Sequence, residues 1–421
     1  MADRCSPVSN FQQIKFFAVI CILGARSVHA EECAYVANSG LNTVSVINTT
    51  RNEIAATIRV GNRPLATALN PAGTTAYVMN SDDNSVSVID TATSSVVTTI
   101  SVGGFPNDAV VHPNGQLVYV ANRGSGSVSV IQTSTNQVVA TLEIGSNGPA
   151  GIVLTLDGRH AYTANAAENS VSLLDLDTHT ARLTIPVGEQ PFDLALTPDG
   201  RTMYVANVFS HSLSIIHTAT NTVVDRLRVE GDPTAVAVHP DGSRVYVANV
   251  PLGNVAVLDT TSNRLRGSIA IRGDAGGDIS GIALTADGTA AYVTDFVYGN
   301  VFVVDTARER VIDFVSIGNG AGPERLAIGE IPSGCPVPPT GTPTPTSPAP
   351  PTPTATVEPC VGDCDGDRTV AVDELLQGVN VSLGNAPLDS CRGADGDADG
   401  NVTIDELLLA VAATLVGCAQ P

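Results

Sequence analysis

One tyrosine-centred stretch returns along most of the chain at a nearly constant interval. It first occurs at residues 34–38 (AYVAN), and the later copies surround Tyr77, Tyr119, Tyr162, Tyr204, Tyr246 and Tyr292. The successive tyrosines are 42, 42, 43, 42, 42 and 46 residues apart, so seven of the eight tyrosines in the chain share one phase. A fixed period of this length indicates an array of equivalent structural units.

Each unit contains four short apolar runs. In the sixth unit they are residues 233–238, 244–249, 254–259 and 265–271, and a His-Pro-Asp-Gly turn follows the first run. The runs are rich in β-branched residues and are bounded by Gly, Pro, Asn and Asp, which is typical of strands joined by turns. No segment of the unit shows a sustained helical period. We therefore predict four β-strands per unit.

Seven repeats of four strands predict a mainly β fold, a seven-bladed β-propeller with four-stranded blades. One such sheet cannot bury both of its faces alone, whereas radial stacking covers each face with a neighbouring blade. The array begins at a tyrosine strand and ends at residues 323–328, which match the first strand of the other units. We expect this C-terminal inner strand to complete the first blade and close the ring.

Two cysteines flank the point where the ring is cut. Cys33 precedes the first tyrosine strand, and Cys335 lies a few residues after the last inner strand. We predict a Cys33–Cys335 disulfide that replaces the missing hairpin, although each cysteine has other partners available. The loop that it closes is about 300 residues long, and the entropic model assigns such a loop on the order of 5 kcal/mol as an upper bound.

The repeat resembles the YVTN-type β-propeller repeats of archaeal surface-layer proteins and many secreted bacterial proteins. The resemblance rests on Tyr-Val-Ala-Asn, Ser-Val-Ser-Val-Ile-Asp, Val-Val-Thr-Thr-Ile-Ser-Val-Gly and Pro-Asp-Gly, and it covers residues 33 to about 330. Unit seven departs from the pattern at Asp295. The resemblance implies the propeller fold, and it says little about function because propellers host many activities.

The candidate binding face is the one that carries the loops before the inner strands. Loops vary while the strands are constrained, so ligand contacts are expected there. The alternative is that these residues only complete turns. The predicted ligand-binding residues near the central channel are Arg63, Asn107, Asp108, Phe192, Asp193, Glu324 and Arg325, with Phe105, Gln190 and Asp232 on the same face.

The sequence favours a protein without catalytic activity. Its histidines are scattered over several units, and no triad or zinc-site spacing is present. Trp is absent, which disfavours a quinone-dependent propeller dehydrogenase. Asp90, Asp175, Asp259 and Asp305 end equivalent runs, so we expect them to cap turns. The alternative is a lactonase-like or polysaccharide-directed enzyme, which an acidic cluster of three or four groups in the channel would favour.

The first thirty residues have the pattern of a secretory signal peptide. Arg4 and Lys15 precede an apolar run at residues 16–24, and residues 28–30 (VHA) match a cleavage site after Ala30. An uncleaved anchor is the alternative. Six cysteines remain after cleavage, an even number that suits an oxidising compartment. We therefore expect a secreted or cell-surface monomer that has no transmembrane segment.

The net charge of −21 disfavours a nucleic-acid partner, because an acidic surface repels phosphate backbones.

Residues 336–359 consist almost entirely of Pro, Thr, Ser, Gly and Ala. Such a composition favours an extended linker. At ~3.1 Å per residue this linker would reach roughly 75 Å. We assign the propeller to residues 31–335 and a separate module to residues 360–421.

The C-terminal module contains two calcium-loop patterns. Calcium prefers many hard oxygen ligands, which alternate acidic residues supply around one point. Arg368 replaces the turn glycine of the first loop, which weakens that site. An apolar run that we predict to be helical follows each loop, at residues 373–383 and 405–416. The predicted calcium ligands are Asp363, Asp365, Asp367, Thr369 and Glu374 in the first loop, and Asp395, Asp397, Asp399, Asn401 and Glu406 in the second.

The paired loops, each followed by a helix, resemble a dockerin module, which implies a cohesin-like domain as one candidate partner. The module departs from that pattern in ending both loops with Glu and in carrying four cysteines, and residues 372–373 (VD) and 404–405 (ID) are not a familiar recognition code. Four cysteines allow three pairings. We favour Cys360–Cys418 and Cys364–Cys391. Together these features predict an exported binding or scaffold protein with a protein or glycan partner.

Overall fold

The computed structural model describes residues 31–145, 148–272 and 277–336. These residues form 28 strands in seven four-stranded antiparallel sheets, so the predicted seven-bladed β-propeller is confirmed. The predicted signal peptide, the linker beyond Pro336, the calcium ligands and the cysteines at 360, 364, 391 and 418 lie outside the described residues. No helix in the described part of the chain is long and apolar enough to cross a membrane.

The strands follow one another around the ring in chain order. Blade 1 contains β1 (Glu31–Asn38), β2 (Thr43–Asn48) and β3 (Glu53–Arg59), and blade 2 contains β4 (Pro64–Leu69), β5 (Thr75–Asn80), β6 (Ser85–Asp90) and β7 (Ser95–Ser101). Blade 3 contains β8 (Pro106–Val111), β9 (Leu117–Asn122), β10 (Ser127–Gln132) and β11 (Gln137–Glu143), and blade 4 contains β12 (Pro149–Leu154), β13 (His160–Asn165), β14 (Ser170–Asp175) and β15 (Thr180–Pro186).

The remaining blades repeat the same order. Blade 5 contains β16 (Pro191–Leu196), β17 (Thr202–Asn207), β18 (Ser212–His217) and β19 (Thr222–Arg228), and blade 6 contains β20 (Asp232–Val238), β21 (Arg244–Val250), β22 (Asn254–Asp259) and β23 (Arg264–Ala270). Blade 7 contains β24 (Ile279–Leu284), β25 (Ala290–Asp295), β26 (Asn300–Asp305) and β27 (Arg310–Ser316), and β28 (Pro323–Ile331) follows it.

The ring closes as predicted, because β28 pairs antiparallel with β1 and becomes the inner strand of blade 1. The Cys33–Cys335 disulfide is present and joins Cα atoms that are 5.8 Å apart. The strand β1 begins at Glu31, two residues before Cys33, and its first residues pair with the end of β28. The disulfide therefore reinforces strand pairing that already exists at the cut in the ring.

Buried side chains of each tyrosine strand hold the blades together. The tyrosines are almost fully buried, and the hydroxyl of Tyr162 donates to Asn221 Oδ1 of the next blade at 2.6 Å. The asparagine that ends such a strand serves the neighbouring strand: Asn80 Nδ2 donates to Ser85 Oγ at 3.1 Å and to Ser87 Oγ at 2.9 Å. Satisfying these buried polar groups within and between sheets avoids a desolvation cost.

An irregularity recurs near the start of each inner strand and positions the residues that face the channel. The register with the tyrosine strand shifts within the first four residues, for example between Pro106 and Asp108. Four of the residues that follow the shift are small: Ala66, Gly151, Ala235 and Gly281. A Cβ on Gly281 would lie 2.9 Å from the Cα of Arg325. The small residues therefore leave room for the charged ones at the equivalent positions, Asp108, Asp193 and Arg325.

Candidate functional site

A buried ion cluster joins three non-adjacent blades across the central channel. The Nη1 atom of Arg325, in blade 1, lies 3.1 Å from Oδ2 of Asp108 in blade 3 and 3.5 Å from Oδ1 of Asp193 in blade 5. Its Nη2 also donates to the carbonyl oxygen of Phe192 at 3.0 Å. Only 13% of the Arg325 side chain is exposed. The guanidinium therefore occupies the channel and connects inner strands that do not otherwise pair.

Both carboxylates are also bonded to backbone. Oδ2 of Asp108 accepts the N–H of Ile152 at 3.1 Å, and Oδ2 of Asp193 accepts the N–H of Val236 at 2.8 Å. Burial raises the pKa of Asp108 to about 6, against the opposing effect of Arg325. For Arg325, burial alone would lower the pKa, but Asp193, Asp108 and Glu324 outweigh it and raise the pKa. The cluster thus keeps a charged guanidinium in the channel.

A cavity of about 320 Å³ opens at the mouth of the channel next to this cluster. Its wall includes three arginines and three phenylalanines from different blades. The guanidinium carbon of Arg63 lies 5.4 Å from the centre of the Phe105 ring. Those of Arg123 and Arg325 lie 5.5 and 5.0 Å from the centre of the Phe192 ring. Residues in the wall are Arg63, Leu65, Phe105, Asn107, Arg123, Phe192, Thr234, Val250, Asp278, Ile279, Ser280, Phe296, Glu324 and Arg325.

Glu324 places a carboxyl group with a raised pKa in this wall. Its Oε1 accepts a hydrogen bond from Ser39 Oγ at 3.2 Å. Burial raises the pKa of Glu324 to about 7, although Ser39, Arg325 and Arg63 act in the opposite direction. The carboxyl group therefore changes its charge near neutral pH.

The predicted ligand-binding residues are largely brought together at the channel. Arg63, Asn107, Phe192, Glu324 and Arg325 line the cavity. Asp108 and Asp193 are outside its wall and bind Arg325 instead. Asn107 also has a structural role, because its Nδ2 donates to the carbonyl of Ala150 in the next blade at 2.6 Å.

Arg123 was missed by the sequence reasoning. It follows the tyrosine strand β9, where the two preceding units have Ser39 and Ser81, and it lines both this cavity and an adjoining groove of about 590 Å³. Burial and the nearby Arg325 lower the pKa of Arg123. A comparison of the units position by position would have revealed this arginine as an exception.

The acidic residues give mixed evidence on catalysis. Glu324 and Asp278 line the cavity, and Asp108 and Asp193 lie close by but are paired with Arg325. The repeated aspartates cap turns as predicted; for example, Asp90 Oδ1 accepts the N–H of Thr93 at 2.8 Å. In the part of the chain that the structure describes, no three His, Cys, Asp or Glu side chains are grouped to hold a metal ion.

The seven four-stranded sheets, closed into a ring by β28 and β1, define this protein as a seven-bladed β-propeller. Residues 154–311 match the YNCE-like beta-propeller family. No curated protein matches the sequence.

Two solved structures show the same fold. One is hydrazine synthase from Kuenenia stuttgartiensis, 20% identical, with a TM-score of 0.57 over 64% of this chain and 96% of that chain. The other is a protein of unknown function from Desulfotomaculum acetoxidans, also 20% identical, with a TM-score of 0.60 over 71% of this chain and 99% of that chain. At this identity the similarity concerns the fold.

Proposed function

We propose that this chain is an exported, non-catalytic binding protein whose propeller binds a small ligand at the channel mouth. The observation that carries the proposal is the cavity in which Arg63, Arg123 and Arg325 lie against Phe105 and Phe192. Concave sites with an apolar wall and a few convergent polar groups are the usual form of ligand sites. The ion cluster beside the cavity holds its inner strands in position before a ligand arrives.

The bonding of the acidic groups favours binding over catalysis. A general base needs a free lone pair within reach of the substrate. Asp108 and Asp193 each use their oxygens for Arg325 and for backbone N–H groups. Neither residue lines the cavity. We therefore assign these two carboxylates the task of holding Arg325.

Ligand capture tests this proposal directly. The full chain is incubated with a small-molecule extract of the producing cells and analysed by native mass spectrometry. We expect an adduct that is lost in Phe192→Ala, is retained in the distant control Arg201→Gln, and is recovered chemically unchanged. Conversion of the captured compound into a product would contradict a non-catalytic role, and an adduct that survives in Phe192→Ala would contradict the assigned site.

We also propose that the C-terminal module binds calcium and docks a protein or glycan partner, such as a cohesin-like domain. Without calcium, the carboxylates of each loop repel one another, so metal binding and folding are coupled. Calorimetry of the full chain should show two calcium sites. Asp395→Ala should remove one of them and Asp363→Ala the other, whereas Asp373→Ala, just before the last ligand of the first loop, should retain both. A single site in the wild type would contradict the role of the first loop, and none would contradict the module.

Export is supported by the disulfide between Cys33 and Cys335, because structural disulfides persist in oxidising compartments. If the signal peptide is cleaved after Ala30, the protein recovered from the medium or the cell surface begins at Glu31. Intact mass measurement distinguishes this product from an uncleaved chain.

A lactonase-like or polysaccharide-directed enzyme is the second candidate. Glu324 favours it, because a carboxyl group with a pKa of about 7 is suited to general acid or base catalysis at neutral pH. The test is a panel of lactones and oligosaccharides assayed with the wild type and Glu324→Gln. Turnover that falls at least a hundredfold in Glu324→Gln would establish this candidate, whereas absence of turnover across the panel favours the binding role.

A further inference from the structure

We propose that the channel-mouth cavity binds a small organic anion with a flat apolar body, held by Arg63 and Arg123 and stacked against Phe105 or Phe192. This inference rests on the proposed binding function and adds the chemical class of the ligand. The anionic group is a carboxylate or a phosphate, since an arginine recognises either through its planar fork of N–H donors.

The first argument is the distribution of charge in the wall. Arg325 is already bonded to two carboxylates. Within the part of the chain that the structure describes, the ion pair of Arg63 is a loose, half-exposed contact with Asp82 at 3.6 Å, and Arg63 also interacts electrostatically with Glu324 in the wall. Arg123 forms no ion pair within residues 31–145, 148–272 and 277–336, and it lies against Phe192 instead. Two guanidinium groups therefore retain donors for an anion.

The surroundings make this arrangement unusual for the chain. The protein carries a net charge of −21, so its surface as a whole repels anions. The half-buried Arg123 nevertheless lies near another arginine, and both burial and that like charge lower its pKa. An anion placed between these groups would relieve the repulsion. A cation would have to compete with three guanidinium groups in the wall.

The second argument is the apolar part of the wall. Phe105 has one arginine near its ring and Phe192 has two. Leu65, Val250 and Ile279 complete an apolar side. Aromatic and guanidinium planes both stack on flat groups. The volume of about 320 Å³ equals roughly ten water molecules at ~30 Å³ each. A single-ring organic acid fits within such a space.

The third argument is that the site is formed in advance. Arg63 and Phe105 have positive φ angles of 51° and 53°, a conformation that is uncommon for residues other than glycine. The side-chain oxygens of Asn42 and Asn84 hold the two backbone N–H groups at 2.9 and 2.8 Å. A wall fixed in this way loses little conformational entropy when a ligand binds.

Ligand-observed fluorine NMR on the full chain tests the assignment. The probes are 4-fluorobenzoate, 4-fluorophenyl phosphate and the uncharged 4-fluorobenzamide, which has the size and shape of the benzoate. We expect both anions, or one of them, to bind at least tenfold more tightly than the amide. The preference between the two anions identifies the carboxylate or the phosphate as the recognised group.

Variants locate the binding. Arg123→Gln should weaken binding of the anions about tenfold, whereas Arg201→Gln, which changes an arginine at the other end of β16, should have no effect. Glu324→Gln removes a negative charge from the wall and should strengthen binding. The proposal is overturned if the amide binds as well as the anions, if Arg123→Gln binds anions like the wild type, or if no probe binds.

The outcomes also separate this inference from the proposed function. Capture of an uncharged ligand that depends on Phe192 would leave the propeller a binding module and refute only the anionic class. Binding of the fluorinated anions together with turnover of a captured compound would support the anionic class and refute the non-catalytic role.

Discussion

At the scale of single residues, hydrogen bonds from tyrosine hydroxyls connect neighbouring blades. Tyr162, Tyr204 and Tyr292 donate to the side-chain oxygens of Asn221, Asn263 and Asn52, at 2.6, 2.8 and 2.6 Å. These asparagines occupy one turn position in their blades, where φ is positive. Asparagine suits this position for two reasons: its side-chain oxygen accepts the hydrogen bond, and it tolerates the left-handed backbone conformation.

Blade 2 has a serine at this turn position, and its neighbour is left without a partner. The Tyr35 hydroxyl and Ser94 Oγ are both buried and unbonded within the described part of the chain. Ser94→Asn should restore the contact and raise the free energy of unfolding by about 1 kcal/mol. Denaturant titration measures the change. Ser94→Gly is the control, because it relieves the backbone without supplying an acceptor; an equal gain in both variants would contradict the hydrogen bond.

The acidity of Glu324 predicts a dependence of stability on pH. Its pKa is raised from 4.5 to about 7 in the folded protein, so the folded state binds this proton more tightly than the unfolded state does. The associated stabilisation is complete below about pH 4.5 and is lost as the pH rises through 7. Below about pH 4.5 it amounts to at most about 3 kcal/mol.

Denaturant titration between pH 5 and 8.5 measures this effect. The wild type should lose more stability than Glu324→Gln as the pH rises, while Asp108, which is present in both proteins, contributes equally. Parallel pH profiles would contradict the assignment. An NMR titration of the Glu324 carboxyl carbon provides a second measurement, with an expected midpoint near pH 7.

Among the strands, the closing strand β28 combines three structural roles. It completes blade 1 by pairing with β1, and the N–H of Ala327 donates to Thr67 Oγ1 of blade 2 at 3.0 Å. It also carries Glu324 and Arg325 to the channel. The corresponding inner strands of other blades carry at most one charged residue toward the channel. Ring closure and the formation of the site therefore depend on the same strand.

Loss of the disulfide should weaken this closure. The Cys33→Ala and Cys335→Ala double variant lacks the covalent bond between residues 302 positions apart, and its free energy of unfolding should fall by up to about 5 kcal/mol. Thermal and denaturant unfolding measure the loss. Each single variant should be equally destabilised, and unchanged unfolding in the double variant would contradict a stabilising role.

At the scale of the whole molecule, Arg325 connects blades 1, 3 and 5 through the channel. Such a cluster gives little net stability compared with apolar packing, but removing one partner leaves buried charges uncompensated. The propeller therefore depends on the complete set of three residues rather than on any single contact.

Arg325→Met should lower the free energy of unfolding by about 3–5 kcal/mol, because Asp108 and Asp193 lose their counterion. Adding Asp108→Asn and Asp193→Asn to this variant removes both stranded charges and should recover much of the loss. Denaturant unfolding of the single and triple variants measures the coupling. A triple variant less stable than the single variant would contradict the ion cluster as the cause.

The residues themselves determined the architecture, because the repeat at tyrosines 35 to 292 and the short apolar runs are local signals that recur in every blade. The phase of the first and last runs indicates where the ring is cut. The positions of Cys33 and Cys335 beside that cut predict the disulfide between them. Arg63 lies just before an inner strand, and Asn107, Phe192, Glu324 and Arg325 lie at the start of one. This position in the repeat predicted that they lie near the channel, and they line the cavity.

The contacts that these residues make depend on how the blades pack around the channel. Residues 108, 193 and 325 are far apart in sequence, and a register shift in each inner strand directs them to one point. Which charges meet there depends on the order of seven blades around the ring, so Asp108 and Asp193 became partners of Arg325 instead of cavity residues. Arg123 joined the wall for the same physical reason: radial packing brings loops from separate units to one channel mouth, a proximity that no local pattern encodes.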